Sequence, residues 1–338
     1  MSEYRLFGVE MSPYSVKVRA FMRYKKIPHT WVVRSMDQMA EFGKYAKLPL
    51  VPCLACPDGS GLQDSTPIME ALEAQFPQPP VRAADPATDF LAALLEEFAD
   101  EWCNKPMFHF RWFYDADAKS AALRIAQETV PAGSPPEAAV QMAGMLEARM
   151  VPRLSFVGSG RGNAQAEANG RFIEDSFRRI TGLLETLLLS RDFLFGARPT
   201  LADFGLYGQF KELLSDPTPG AWLRANAPRT CAWVARMEDP RGDGELLPFA
   251  TLAAELAPLL REEIGARFLP WSDANARALA AGEKQFTAHI AGTGFTQEVQ
   301  KYHAKSLQEI RRKFAQVNGS APLRALLADT GCLRWLES

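Results

Sequence analysis

Apolar positions near the start of the chain switch between two periods. YRLFGV, residues 4–9, is an apolar run of strand length, and from Tyr14 to Lys26 the residues Tyr14, Val18, Phe21 and Met22 recur at three-to-four spacing. That spacing predicts a helix with one buried face. HTWVVR, residues 29–34, predicts a second strand. After a polar, helical connection, VPCLAC and GLQD predict two more strands, joined by the turn Pro57-Asp58-Gly59-Ser60-Gly61. A helix from Thr66 to Phe76 follows, with Pro67 in its first turn, where a missing N–H is harmless. The predicted order over residues 1–80 is βαβαββα.

Beyond this the helical period takes over. FPQPPVRAADPATD, residues 76–89, has the proline density and polarity of a linker. Phe90, Leu91, Leu94, Leu95, Phe98 and Trp102 then mark one face of a long helix, continued as MFHFRWFY after an irregularity expected near Pro106. In ARPTLADF, residues 197–204, Thr200 as N-cap with Asp203 three positions on is a capping-box variant ahead of an apolar helix from Phe204 to Leu214. The stretch 115–170 is rich in Gly, Pro and Ala and reads as an insertion, partly loop. Near the end, FTAHIA and FTQEVQ flank Gly292-Thr293-Gly294 and predict a β-hairpin. An amphipathic basic helix, Tyr302 to Val317, and a short one near Pro322 to Asp329 follow. Three segments result: an α/β domain at 1–80, an all-helical domain at 86–245 with its insertion, and an α+β extension at 246–338.

Composition narrows the classes of function. At 338 residues about two domains are expected, and 47% hydrophobic with 23% charged residues is ordinary for globular chains. A net charge of −2, without a basic run interleaved with aromatics, argues against nucleic acid as a partner. No apolar stretch approaches the roughly 18 residues of a membrane helix, and MSEYRLFG lacks the pattern of a signal peptide, so a cytoplasmic protein is expected. The five cysteines, Cys53, Cys56, Cys103, Cys231 and Cys332, are too scattered for a disulfide framework. Cys53 and Cys56 lack the second pair that a metal site usually has, and the four histidines form no metal-binding pattern. No metal is expected.

The chemistry-bearing stretch is SPYS, residues 12–15, between the first strand and the first helix. With cysteines at both ends it would be CPYC, a dithiol loop of the kind that exchanges disulfides; Ser12 and Ser15 cannot form a mixed disulfide. The order βαβαββα is that of a thioredoxin-like domain. Ser12-Pro13-Tyr14 after the first strand, Val51-Pro52 at the third, and Asp64-Ser65 at the mouth of the third helix together resemble the amino-terminal domain of cytosolic glutathione transferases of the serine type. ARPTLADF and the segment CAWVARMEDP resemble that family's all-helical domain, so the resemblance covers about residues 4–240.

The resemblance implies roles that physical chemistry makes reasonable. A strand-to-helix turn offers free N–H groups at the positive end of a helix dipole, and Ser12 would donate a hydrogen bond to the thiolate of glutathione. Lowering a thiol pKa from about 8.5 to about 6.5 raises the reactive fraction at pH 7 from roughly 3% to roughly 75%. Ser12 as a plain N-cap is the alternative. Val51, held by a cis bond to Pro52, would pair with the cysteinyl backbone; an ordinary trans X-Pro is the alternative. Asp64 would meet the γ-glutamyl ammonium and Ser65 its carboxylate, or the pair would merely cap a helix. Where related serine-type members carry a lysine before the valine, this chain has Leu50, so the glycyl carboxylate calls on Arg34, Lys44 or Lys47. Tyr14, Phe108 and Trp112 are candidates for lining the electrophile pocket, with packing as the competing role.

Two functions of different class follow: an enzyme that adds the glutathione thiolate to a hydrophobic electrophile, or a transferase-like scaffold for protein contacts. The resemblance also implies a homodimer.

Overall fold

The structure is a computed structural model that describes residues 3–337. In chain order β1 (Tyr4–Gly8), α1 (Pro13–Tyr24), β2 (His29–Val33), α2 (Met39–Phe42), β3 (Cys53–Ala55), β4 (Gly61–Gln63) and α3 (Ser65–Gln75) come first. Helices α4 (Pro86–Phe98), α5 (Asn104–Phe113), α6 (Asp115–Thr129), α7 (Pro136–Met150), α8 (Ala164–Leu187), α9 (Leu201–Ser215), α10 (Pro217–Asn226) and α11 (Pro228–Met237) follow. The chain closes with α12 (Phe249–Leu259), α13 (Leu269–Ala280), the strands β5 (Gln285–Ile290) and β6 (Thr293–Glu298), and α14 (Lys301–Val317), α15 (Ala321–Asp329) and α16 (Leu333–Leu336). It divides into two compact units. One comprises the chain up to Val81 with Phe110–Val151 and Asp203–Asp243; the other comprises Arg82–His109, Pro152–Ala202 and the chain from Gly244 onward.

The first unit holds a four-stranded sheet in the order β2-β1-β3-β4, with β1 and β2 parallel and the other pairings antiparallel. This is the thioredoxin-like arrangement expected. Phe7, Phe42, Cys53 and Ala55 form a buried cluster, joined by Val32, Tyr45, Ala46 and Val51. Strand β3 begins two residues later than the apolar run VPCLAC suggests, because Pro52 has no N–H to give a ladder. Two glycines are required by close approach. A Cβ on Gly8 would lie 2.3 Å from the Trp31 ring, and one on Gly208 of α9 would lie 2.4 Å from the Pro13 carbonyl oxygen at the start of α1. Phe204 of α9 packs on Phe21, with ring centroids 5.5 Å apart, and Trp233 Nε1 donates to Asp203 at 3.2 Å.

Within the stretch 115–170, α6 and α7 pack side by side over most of 115–150, and residues 130–135 and 158–163 lie outside the helices. Alanine, the best helix former, outweighs the occasional glycine, and Pro135 and Pro136 stand at the cap and first turn of α7, where proline is tolerated.

In the second unit a π-helical segment, Ala99–Cys103, lies between α4 and α5. It stands just ahead of the irregularity expected at Pro106, which has no N–H for the carbonyl four residues earlier. The predicted hairpin forms, with its turn at Ala291-Gly292, one residue before the Gly-Thr-Gly centre. Both have positive φ, 46° and 76°, as a two-residue type I′ turn requires. Helix α14 packs against α4, where Phe90 meets Phe314 with centroids 5.5 Å apart. Lys105, buried, donates to Gln297 Oε1 at 2.7 Å and sits 4.0 Å from the Trp271 ring. Glu263, also buried, accepts from Ser176 Oγ at 2.6 Å, and burial pushes its carboxyl up to about 7 despite the nearby Arg267 and Arg179. No helix among the described residues is long and apolar enough to cross a membrane.

Candidate functional site

The site grows from the end of the sheet where β1 leaves it. Phe7 pairs with Cys53 and Cys53 with Gln63, so the loop after β1, the residues before β3 and the residue after β4 share one edge. Those are the places of Ser12, Val51-Pro52 and Asp64.

Ser12 is half-buried and caps α1. Its Oγ accepts from the Ser15 N–H at 3.2 Å, the capping alternative in place, and its own hydroxyl hydrogen remains for a second acceptor. Its N–H donates to the Val9 carbonyl at 3.2 Å, closing a turn over Glu10 and Met11. Ser15 is fully buried, and its hydroxyl has no partner among the described residues. Tyr14 is half-buried.

The Val51–Pro52 bond is cis. Neither backbone group of half-buried Val51 has a hydrogen-bond partner among the described residues, leaving an N–H and a C=O for an extended ligand. The Pro52 carbonyl accepts from the Asp64 N–H at 3.3 Å, which ties the second place to the third. Asp64 has φ 82° and ψ 142°, a conformation rare outside glycine, and its carboxylate accepts from the Ser65 N–H at 2.7 Å. Ser65, expected ahead of the helix, is the first residue of α3 and is only 1% exposed. Beneath it lies Lys17, equally buried, whose Nζ is 3.4 Å from Ser65 Oγ and 3.3 Å from Thr66 Oγ1.

The candidate cations separate. Lys44 is ion-paired with Glu41, which Arg5 also holds at 2.7 Å. Lys47 is exposed. Arg34 keeps its guanidinium apart from carboxylates among the described residues; one nitrogen reaches Met39 Sδ at 3.5 Å, and burial lowers its pKa. Trp112 is 1% exposed, in the packed position an aromatic stripe at helical spacing often takes. Phe108, in the second unit, is half-buried. Cys53 and Cys56 are buried free thiols, and burial raises Cys53 to about 11.

Sequence reasoning missed three residues. Gln63 Oε1 accepts from the N–H groups of Lys47 and Leu48, both at 3.0 Å, while Nε2 donates to the carbonyls of Leu48 and Leu50, both at 2.7 Å. One side chain thus fixes the segment that leads into Val51. Lys17 hid inside an ordinary amphipathic pattern. Arg111, in α5, is buried and donates to the Met11 carbonyl at 2.8 Å. None has a local signal, since each acts through partners remote in sequence.

The fold and these positions define a thioredoxin-like domain with polar groups gathered at the end of β1. Residues 11–75 match the family described as glutathione S-transferase, N-terminal domain. Similar solved structures include a glutathione S-transferase of Methylobacterium radiotolerans in complex with glutathione sulfonate. It is 22% identical, over 73% of this chain and 95% of that one, with a TM-score of 0.41. The beta-etherase LigF of Sphingobium is 19% identical over 72% and 97%, with a TM-score of 0.46. FzlA of C. crescentus is 21% identical over 75% and 92%, with a TM-score of 0.44. No curated protein matches the chain.

Proposed function

We propose that the protein binds glutathione and adds its thiolate to a hydrophobic electrophile. The observation that carries this reading is the convergence of the Ser12 hydroxyl, the unpaired Val51 backbone and the Asp64-Ser65 pair on one edge of the sheet, all within the span that matches the transferase domain. Glutathione would lie with its cysteinyl backbone along Val51, its γ-glutamyl carboxylate at Ser65 and the adjoining N–H groups, and its ammonium at Asp64. Arg34 or Lys47 would take the glycyl carboxylate. Ser12 would donate to the sulfur, so that the thiol proton passes to solvent and the thiolate forms the new S–C bond as the electrophile's leaving group departs. Tyr14 would border the apolar pocket. We infer further a cytoplasmic homodimer of the serine type that removes reactive compounds. The test is glutathione conjugation to an electrophilic aryl halide: turnover that saturates in both substrates and collapses in Ser12→Ala supports the reading. Tight glutathione binding without turnover would favour the scaffold.

A further inference from the structure

The turn that carries Ser12 is gripped from outside by residues far along the chain. Each of its two central residues, Glu10 and Met11, has one backbone group held by a side chain from a helix far along the chain. The Glu10 N–H donates to the two oxygens of Glu128, on α6, at 3.2 and 2.9 Å. The Met11 carbonyl accepts from Arg111 Nη1 at 2.8 Å.

Arg111 is 3% exposed. Its Nη2 donates to Glu212 Oε2 at 2.6 Å and its Nε to Asp216 Oδ2 at 2.8 Å, and Asp216 also receives Arg124. Two carboxylates, one on α9 and one at the cap of α10, therefore fix the plane of the guanidinium and aim its remaining nitrogen at Met11. A buried ion pair is a weak source of stability, and apolar residues of like size often replace one without loss. What they cannot supply is a directed donor for a buried carbonyl one residue before Ser12.

We propose that Arg111 is a positioning residue for the thiol site: it locks the turn backbone so that the Ser12 hydroxyl and the first N–H groups of α1 face the ligand sulfur. This rests on the reading of Ser12 as the group that stabilises the thiolate. Lysine in its place would keep the charge but could not serve three acceptors in one plane.

The test uses the full chain with Arg111→Met/Glu212→Gln, which removes the pair without leaving an orphan carboxylate, and Arg111→Lys. Amide hydrogen exchange is followed in peptides covering residues 9–16. The ultraviolet thiolate band of bound glutathione is titrated against pH, and S-methylglutathione, which has no ionisable thiol, reports binding alone. In the double variant, exchange in 9–16 should accelerate about tenfold or more while other segments hold. The thiol pKa should rise by about one unit with S-methylglutathione affinity little changed, and Arg111→Lys should fall between. Wild-type exchange and an unshifted thiol pKa in a folded double variant would overturn the proposal; if that variant does not fold, the same result in Arg111→Lys would do so. A wild-type chain that binds neither glutathione nor S-methylglutathione would instead defeat the reading of the site, and the exchange measurement would still decide whether Arg111 holds the turn.

Discussion

The ammonium of Lys17 lies 3.4 Å from the hydroxyl oxygen of Ser65, and both side chains are buried. Because lysine can only donate, Ser65 accepts from it, and the hydroxyl hydrogen is left for a second acceptor. A carboxylate there would feel the hydroxyl, the helix N-terminus and a buried positive charge together. Lys17→Met, which keeps the volume, should raise the KM for glutathione by about tenfold, one lost charge-assisted contact, and lower kcat far less. Steady-state kinetics decide it: equal losses in kcat and kcat/KM would place Lys17 in the transition state instead.

For Ser12, capping and chemistry separate by substitution. Ser12→Ala should cost about 0.5–2 kcal/mol of stability and Ser12→Gly only a few tenths, because glycine is an acceptable cap. Both should lower turnover about tenfold or more, the scale of one charge-assisted hydrogen bond of roughly 1.5–3 kcal/mol. Melting curves and conjugation rates on the two variants check this. Activity that tracks stability would reduce Ser12 to its cap.

Gln63→Glu should be more damaging than its size suggests. The new carboxylate oxygen would face the Leu48 and Leu50 carbonyls where an amide now donates to both. Loosening of residues 47–51 should weaken glutathione binding by about tenfold, the scale of one lost hydrogen bond. Amide exchange localised to that segment would accompany it, and unchanged affinity with a loosened segment would remove Val51 from the binding site.

What could be read from the sequence divides by range. The order of strands and helices over the first domain, the hairpin and the cap at Ser12 were legible because each depends on neighbours within a few residues, whereas the cis bond at Val51–Pro52 came only with the resemblance. Gln63, Lys17 and Arg111 were not, since a polar residue on a helix or strand looks solvated until its remote partner is known. The burial of Ser65 was missed for the same reason: nothing near it in sequence announces Lys17. The stretch 115–170 is helix where alanine is dense and loop where proline and glycine cluster, at 130–135 and 158–163.

Glu263 gives a pH prediction. Burial raises its carboxyl from the ordinary 4.5 to about 7, so between those values the folded chain holds a proton that the unfolded chain has released. Its contribution is complete below pH about 4.5 and is lost as pH rises through about 7. Glu263→Gln cannot titrate. Denaturant unfolding should therefore show wild type losing roughly 1–3 kcal/mol relative to the variant between pH 4.5 and 8. A relative gain would mean that Arg267 and Arg179 hold the carboxylate ionised throughout.

The central claim is that this sheet edge is a glutathione site, and calorimetric titration of glutathione into the full chain tests it most directly. The account predicts saturable binding, one molecule per chain, that weakens about tenfold or more in Asp64→Asn and Ser65→Ala while both variants remain folded. Absence of binding at millimolar glutathione, or binding that neither substitution alters, would contradict it.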